Sequence, residues 1–348
     1  MPQSHHSHSG QFCRHAKGTL EQVVQEAIKQ GFTTFGLSEH APRYRQQDLY
    51  PEESDLSPTA LHEIYLSFLD EAHRLRAIYS SEITLLIGIE TDLITPLDLT
   101  GLSALLEAQA SRIDYVVGSL HHVHQIPIDF DEPTFLHAVR SCVPSGSDPD
   151  TVTEDERIVD LIEAYLDGQF ELMRTIRPEV IGHFDLIKLW NPSWSLRTLG
   201  KGSIWSKVKR NVKEAVDYGA LFELNAAAFR KGWNEAYPSW EILELVVSAK
   251  GRLCLSDDSH GPQAVGLNYH KLHDYLRAHD ISELWYLSLD DLDSSSSSSV
   301  ESEDDNTSTT HVRKGKRSGR VRPKKVEGDW WEDRFWKTCL ETNKASRV

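Results

Sequence analysis

A few residues into the chain stands Ser4-His5-His6-Ser7-His8-Ser9-Gly10. Side chains alternate along an extended backbone, so His6 and His8 share one face there, as a two-point chelate requires. The run is interrupted and flows into a native-looking pattern, which separates it from an appended purification tag. Further on, imidazoles and carboxylates recur beside short apolar runs: His15, His40 after TTFGL, Glu90 closing LLIGIE, His121 after YVVGSL, His183 in VIGH, and Asp258 and His260 in LCLSDDSH. A single such histidine is ordinarily a hydrogen-bonded core or surface residue. Many of them gathered with acids and without cations would leave buried charges unpaired at large cost. The donors His6, His8, His15, His40, Glu90, His121, His183, Asp258 and His260 exceed the shell of one ion. They suit two or three divalent ions with Glu90 as a bridge. Imidazole with carboxylate and no thiolate favours Zn, Mn or Fe over Ca. Ions held about 3.5 to 4 Å apart polarise a phosphoryl oxygen, activate water and steady a leaving oxygen, so a small phosphomonoester is the expected substrate.

Donors so far apart in sequence need a scaffold that gathers strand ends. From Thr19 to Leu289 helical stretches alternate with β-branched or apolar runs, the sign of repeated βα units. Strands are expected at Thr33–Ser38, Ile83–Glu90, Asp114–Ser119, Glu179–His183, Leu221–Leu224, Leu253–Ser256 and Glu283–Leu287, and the histidine segment brings the count to seven or eight. Helical segments fall between them, among them Leu20–Gln30, Pro58–Ile78 and Glu154–Thr175. In a barrel of parallel strands the carboxyl ends converge on one face, which is where these donors lie.

Residues 1–292 therefore read as one catalytic barrel. Residues 293–328 break the rhythm with a serine run, an acidic cluster and then basic residues, a composition expected to be a disordered insertion. Residues 329–348 carry Trp330, Trp331, Phe335 and Trp336 at amphipathic spacing, as a helix packing back on the barrel would. Thirty-seven basic against 53 acidic residues give a net charge of −16, which argues against nucleic acid as a partner. No apolar run is long enough to span a membrane, and no secretory signal is recognisable. Cys13, Cys142, Cys254 and Cys339 form no CxxC pair, which suits a reducing compartment, and the protein is expected in the cytoplasm.

The stretches HSHSGQFCRHAKGTLEQVVQEAIKQGFTTFGLSEHAPR, GIETDL, VVGSLHHVHQIPIDFD, IGHFDLIK and LCLSDDSHGPQAVG, in this order, resemble the polymerase and histidinol phosphatase (PHP) superfamily. Within it they look most like the monofunctional histidinol-phosphatases, and GSLHHVHQIPIDFD like their fungal form. The resemblance implies a distorted (βα)7 TIM-like barrel with a trinuclear metal site at the C-terminal ends of the strands. It also implies hydrolysis of L-histidinol phosphate to L-histidinol and phosphate, in histidine biosynthesis. The family's metal positions carry over to the nine donors above, and His15, where many relatives outside the phosphatases have Asp, supports the phosphatase group. His121, His122 and His124 compete for one ligand position, and the place just after GSL favours His121. Asp257 is the less favoured neighbour of Asp258, because D-x-H spacing aligns Asp258 with His260.

Arg230, in ELNAAAFRKG, stands where similar family members carry a phosphate-contacting arginine, and its planar fork suits a dianion. Arg43 beside His40, and Asn225 on the strand before Arg230, complete the expected substrate contacts. Glu90 and Asp258 are the expected catalytic carboxylates, and His122 (or His124) the expected general acid. Two rival readings are another phosphoesterase of the same superfamily, acting on nucleotides or as an exonuclease, and a non-catalytic metal-binding scaffold. An amidohydrolase also opens with HxH in a barrel, but Glu90 and Asp258-x-His260 fit a phosphatase better.

Overall fold

The computed structural model describes residues 2–289, 321–337 and 339. Seven parallel strands form one sheet in chain order: β1 (Gln3–Ser4), β2 (Thr34–Leu37), β3 (Thr84–Glu90), β4 (Tyr115–Gly118), β5 (Val180–Ile181), β6 (Leu221–Asn225) and β7 (Arg252–Ser256). Between them run α1 (Leu20–Gln30), α2 (Pro58–Ile78), α3 (Pro96–Ala108), α4 (Glu132–Ser141), α5 (Glu154–Ile176), α6 (Ser203–Asp217) and α7 (Trp240–Ser248), and α8 (Tyr269–Ala278) follows β7. The two edges of the sheet meet through side chains and a short ladder. Ser4 Oγ donates to Asp257 Oδ1 at 2.8 Å, and Ser7 and His8 pair in parallel with Ser259 and His260. The result is a nearly closed, distorted (βα)7 barrel.

Local sequence sets the boundaries. Thr19 and Gln22 form a reciprocal capping box at the start of α1, and Gly31 ends that helix with φ of 85°. Thr153 and Glu156 open α5 in the same way. Apolar faces of the helices cover the outside of the sheet, with Val23, Phe68, Leu69, Leu166 and Val212 fully or almost fully buried. Inside the barrel the side chain of Tyr115 crosses the lumen, and its hydroxyl donates to the His5 carbonyl at 2.7 Å. Glycine at positions 36 and 88 makes that crossing possible. A Cβ on Gly88 would lie 2.6 Å from the Tyr115 ring, and the Tyr115 hydroxyl occupies the space a Cβ on Gly36 would need.

The eighth expected strand is real but lies outside the barrel sheet. It runs from Trp285 to Leu289 (β8) and pairs antiparallel with Val321–Lys325 (β9). Leu287 of β8 packs with the inward residues Leu86, Tyr115, Val117, Val180, Leu221 and Cys254. The ribbon thus covers the end of the lumen away from the donor residues. A barrel strand would need a parallel neighbour, and among the described residues β8 pairs only with the antiparallel β9. β9 falls within the stretch read as an insertion, and residues 293–320 of that stretch lie outside the described residues. The aromatic segment that follows packs on the barrel with a 3₁₀ turn at Trp330–Glu332 and helical residues 334–337. Trp330 donates its indole N–H to the Ile281 carbonyl at 2.8 Å, Phe335 packs on Phe32, and Trp336 on Tyr269. No helix among the described residues is long and apolar enough to cross a membrane.

Candidate metal centre

Six of the seven barrel strand ends contribute donors to one cluster. His6 and His8 follow β1, His40 follows β2, Glu90 ends β3, His121 follows β4, His183 follows β5, and Asp258 and His260 follow β7. His15 joins from the loop before α1. Glu90 is the hub and is almost fully buried. Its Oε1 stands 3.0 Å from His6 Nε2, 3.3 Å from His121 Nε2 and 3.1 Å from His183 Nε2. Its Oε2 stands 3.3 Å from His8 Nε2 and 2.9 Å from His40 Nδ1. Asp258 Oδ1 lies 3.7 Å from His6 Nε2, 3.8 Å from His8 Nε2 and 3.5 Å from His260 Nδ1.

Two contacts are of a kind hydrogen bonding alone explains poorly. His121 Nε2 faces His183 Nε2 at 3.3 Å, and His40 Nε2 faces His15 Nε2 at 3.3 Å. Buried ring nitrogens of His6 and His8 also lack hydrogen-bond geometry to any partner among the described residues. Nitrogens turned toward one another around a carboxylate are what a cation site presents, and overlapping trios of donor atoms lie within 4.8 Å of one another, including His6, His8 and Glu90; Glu90, His121 and His183; and His8, His40 and His260. This donor set fits divalent ions of the imidazole-accepting kind.

The charges point the same way. Burial opposes charge on Glu90, yet His6, His121 and His40 around it hold its carboxyl well below the usual range. Asp258 is likewise opposed by burial and held well below its usual range by His6 and His260. Burial works against protonation of His8 and His121, but Glu39 and Glu90 push His8 up to about 9, and Glu90 pushes His121 up to about 10. Burial and the neighbouring His8 drive His260 down to about 3. The centre thus holds ionised carboxylates that demand nearby positive charge.

Around these donors stands a layer of acids absent from the sequence reading. Glu223, fully buried on β6, accepts from His6 Nδ1 at 2.8 Å and from the His183 backbone N–H at 3.1 Å. Glu39 lies 3.4 Å from His8 Nδ1, Glu52 3.4 Å from His15 Nδ1, and Asp92 2.5 Å from His122 Nδ1. Only strand alternation hinted at Glu223, which shares an inward face with Leu221 and Asn225.

Seven of the nine donors, all but the fully buried His6 and His8, form the base of a cleft of about 410 Å³, whose walls include Tyr50, Asp129, Phe130, Arg230, Lys231 and Tyr237. Arg230 lines this cleft, with Nη2 donating to the Asp258 carbonyl at 3.1 Å. Asn225 is fully buried behind the wall, donating from Nδ2 to Glu223 at 2.5 Å and to Asp258 Oδ2 at 3.4 Å. Arg43 is placed away from the cleft lining. Its Nη1 is shared between both oxygens of Glu53, at 2.9 and 2.8 Å, and its guanidinium lies 4.3 Å from the centre of the Tyr50 ring. His122 is also buried outside the lining, held by Asp92, and His124 is exposed near Cys142.

A family model described as the PHP domain matches residues 4–227. A probable histidinol-phosphatase of Schizosaccharomyces pombe is 46% identical over 285 residues, covering 82% of this chain and 89% of that protein. The histidinol-phosphatase of Saccharomyces cerevisiae is 30% identical over 315 residues, covering 82% of this chain and 90% of that protein. Among solved structures, a putative histidinol phosphatase from Listeria monocytogenes aligns with a TM-score of 0.62 at 20% identity, covering 77% of this chain and 98% of that one. A histidinol phosphate phosphatase from Lactococcus lactis, complexed with zinc, L-histidinol and phosphate, aligns with a TM-score of 0.59 at 17% identity, covering 82% and 95%. At those identities the two structures speak for the barrel alone.

Proposed function

We infer that this chain, which belongs to the PHP domain family, is a histidinol-phosphatase, a phosphoric monoester hydrolase that converts L-histidinol phosphate to L-histidinol and phosphate. The observation that carries the reading is the convergence of imidazole and carboxylate donors on Glu90 at the base of a cleft. In this reading His6, His8, His15, His40, Glu90, His121, His183, Asp258 and His260 hold two or three divalent ions, Zn, Mn or Fe. Bound there, such ions supply Lewis acidity toward phosphoryl oxygens and lower the pKa of water.

The chain's own residues supply position and charge. The two Glu90 oxygens face different histidine sets, so Glu90 would offer ligand atoms to more than one ion. Arg230, on the cleft wall, has N–H groups beyond those given to the backbone and is the phosphate contact of this reading. Asn225 and Arg43 act through others, Asn225 by steadying Glu223 and Asp258, and Arg43 by holding Tyr50. His122, held by Asp92 behind the cleft lining, is the proposed general acid of this reading only by way of an intervening water. The acidic balance favours a small substrate over nucleic acid, and the free thiols of Cys13, Cys142 and Cys254 suit the reducing cytoplasm.

The test is phosphate release from a panel of phosphomonoesters by chelator-stripped and metal-reloaded enzyme. L-histidinol phosphate is expected to be preferred over nucleotides, only in the reloaded form, and Glu90→Ala or Asp258→Ala is expected to lose turnover and bound metal together. Preference for a nucleotide, or turnover that survives chelation, sinks the proposal.

A further inference from the structure

The donors and Arg230 account for the phosphate end of the cleft, and the opposite chemistry stands beside them on the same walls. Past His121 the chain makes a small hairpin, His122–Val123 against Ile126–Pro127, and returns so that the Ile128 N–H donates to the His121 carbonyl at 2.9 Å. The Ile128 carbonyl then accepts the Trp190 indole N–H at 2.8 Å. Those two bonds fix the backbone immediately before Asp129 and Phe130, both of which line the cleft. Asp129 Oδ1 is shielded from solvent and has no hydrogen-bond partner among the described residues, a costly arrangement for a carboxylate unless something else meets it. Asp129 also belongs to none of the trios of converging donor atoms.

Next to it is an aromatic surface. Phe130 is 44% exposed, unusual for so large an apolar side chain, and stacks on Tyr50 with ring centres 5.9 Å apart and planes 12° apart. Tyr50 is held in turn by Arg43, which is itself locked to Glu53. A carboxylate oxygen without a partner beside stacked rings fits a ligand end that is cationic and flat.

We propose that Asp129 with the Tyr50–Phe130 pair forms the specificity subsite for the amino-imidazolyl end of the substrate. The Asp129 carboxylate accepts the ammonium group, and the stacked rings take the imidazole. The proposal rests on the substrate reading above and deepens it: the cleft is bipolar, with cationic groups and ion ligands for the phosphate and an acid with an aromatic wall for the other end. Arg43, by fixing the Tyr50 ring, is a positioning residue for this wall.

Two assays separate failure of the subsite from failure of the substrate reading. In the first, kcat and KM are measured for L-histidinol phosphate and for p-nitrophenyl phosphate in the parent, Asp129→Asn and Phe130→Ala, with bound metal quantified in each. A charge-assisted contact to the ammonium predicts that Asp129→Asn shifts the ratio of the two kcat/KM values by about ten- to a hundredfold toward p-nitrophenyl phosphate, chiefly through KM. Phe130→Ala is expected to shift it in the same direction by a smaller factor, and Phe130→Tyr to restore it. In the second, free L-histidinol competes against p-nitrophenyl phosphate, so that the subsite is read without any turnover of histidinol phosphate. The inhibition constant is expected to rise in Asp129→Asn. An unchanged selectivity ratio, or equal inhibition of parent and Asp129→Asn by L-histidinol, overturns the subsite. A parent enzyme that ignores histidinol phosphate yet is inhibited by L-histidinol through Asp129 would sink the substrate reading and leave the subsite standing.

Discussion

Glu223→Gln offers the sharpest trial of the idea that a buried acid layer tunes the metal centre. Glu223 takes three hydrogen bonds on two oxygens: from His6 Nδ1 at 2.8 Å, from the His183 N–H at 3.1 Å and from Asn225 Nδ2 at 2.5 Å. Accepting from Nδ1 fixes the His6 tautomer that leaves Nε2 without a proton, and Nε2 is the atom that faces Glu90 and Asp258. A glutamine keeps one acceptor and adds an NH₂ group. If that group turns toward His6, the preferred tautomer reverses and Nε2 gains a proton just where an ion must bind. If it turns the other way, it opposes two N–H groups at once. Either outcome forfeits a contact of the charge-assisted class, worth about 1.5–3 kcal/mol. Affinity for the ion held by His6 should therefore fall by about ten- to a hundredfold. Competition titration of stripped enzyme with zinc against a chromophoric chelator reads the affinity, and elemental analysis reads how many ions remain. An affinity within about twofold of the parent, with full occupancy, would show that Glu223 is packing rather than tuning.

Three further outcomes follow from the same geometry. Loading zinc onto stripped enzyme at pH 7 should release protons, because His8, pushed up to about 9, and His121, pushed up to about 10, hold them until an ion takes their place; affinity then rises with pH. Calorimetry in buffers of different ionisation enthalpy counts those protons, and a count of zero contradicts the charge balance described for the centre. His122→Ala should flatten one limb of the pH dependence of kcat if that imidazole is the general acid, and a profile superimposable on the parent's removes it from the role. Gly88→Ala would drive a Cβ to within 2.6 Å of the Tyr115 ring and should cost about 1–3 kcal/mol of stability by urea denaturation; an unmoved midpoint would show that Tyr115 does not need this clearance.

The barrel was legible because parallel strands buried on both faces are written as short continuous apolar runs, and each expected run coincides with an observed strand to within a few residues. The misplacement of Glu283–Leu287 has a definite cause. An apolar run of that length announces a strand but not its partner, and the residues that pair with it, Val321–Lys325, are basic and contain Pro323. That composition suits a two-stranded edge, where a missing N–H is tolerated, and it offers no hydrophobic period to detect. The aromatic tail was easier to read, since four large rings in seven residues have few places to go except onto an existing core.

At the site, the residues that touch one another through their own charge were legible, and those that act on them from behind were not. His6, His40, Glu90 and Asp258 stand out because imidazole and carboxylate at strand ends are costly unless they meet a cation. Glu223 and Asp92 have the same chemistry, but nothing in LFELN or ETDL separates a carboxylate that faces an ion from one that faces an imidazole N–H. That distinction depends on which layer of the lumen the side chain enters, and therefore on strand stagger. The same ambiguity misled the reading of Arg43. Proximity to His40 in sequence suggested a substrate contact, whereas the Arg43 guanidinium goes to Glu53, ten residues on. An arginine held by one carboxylate and lying on an aromatic ring has little reason to reach for a phosphate, and its guanidinium is spent on Glu53 and the Tyr50 ring.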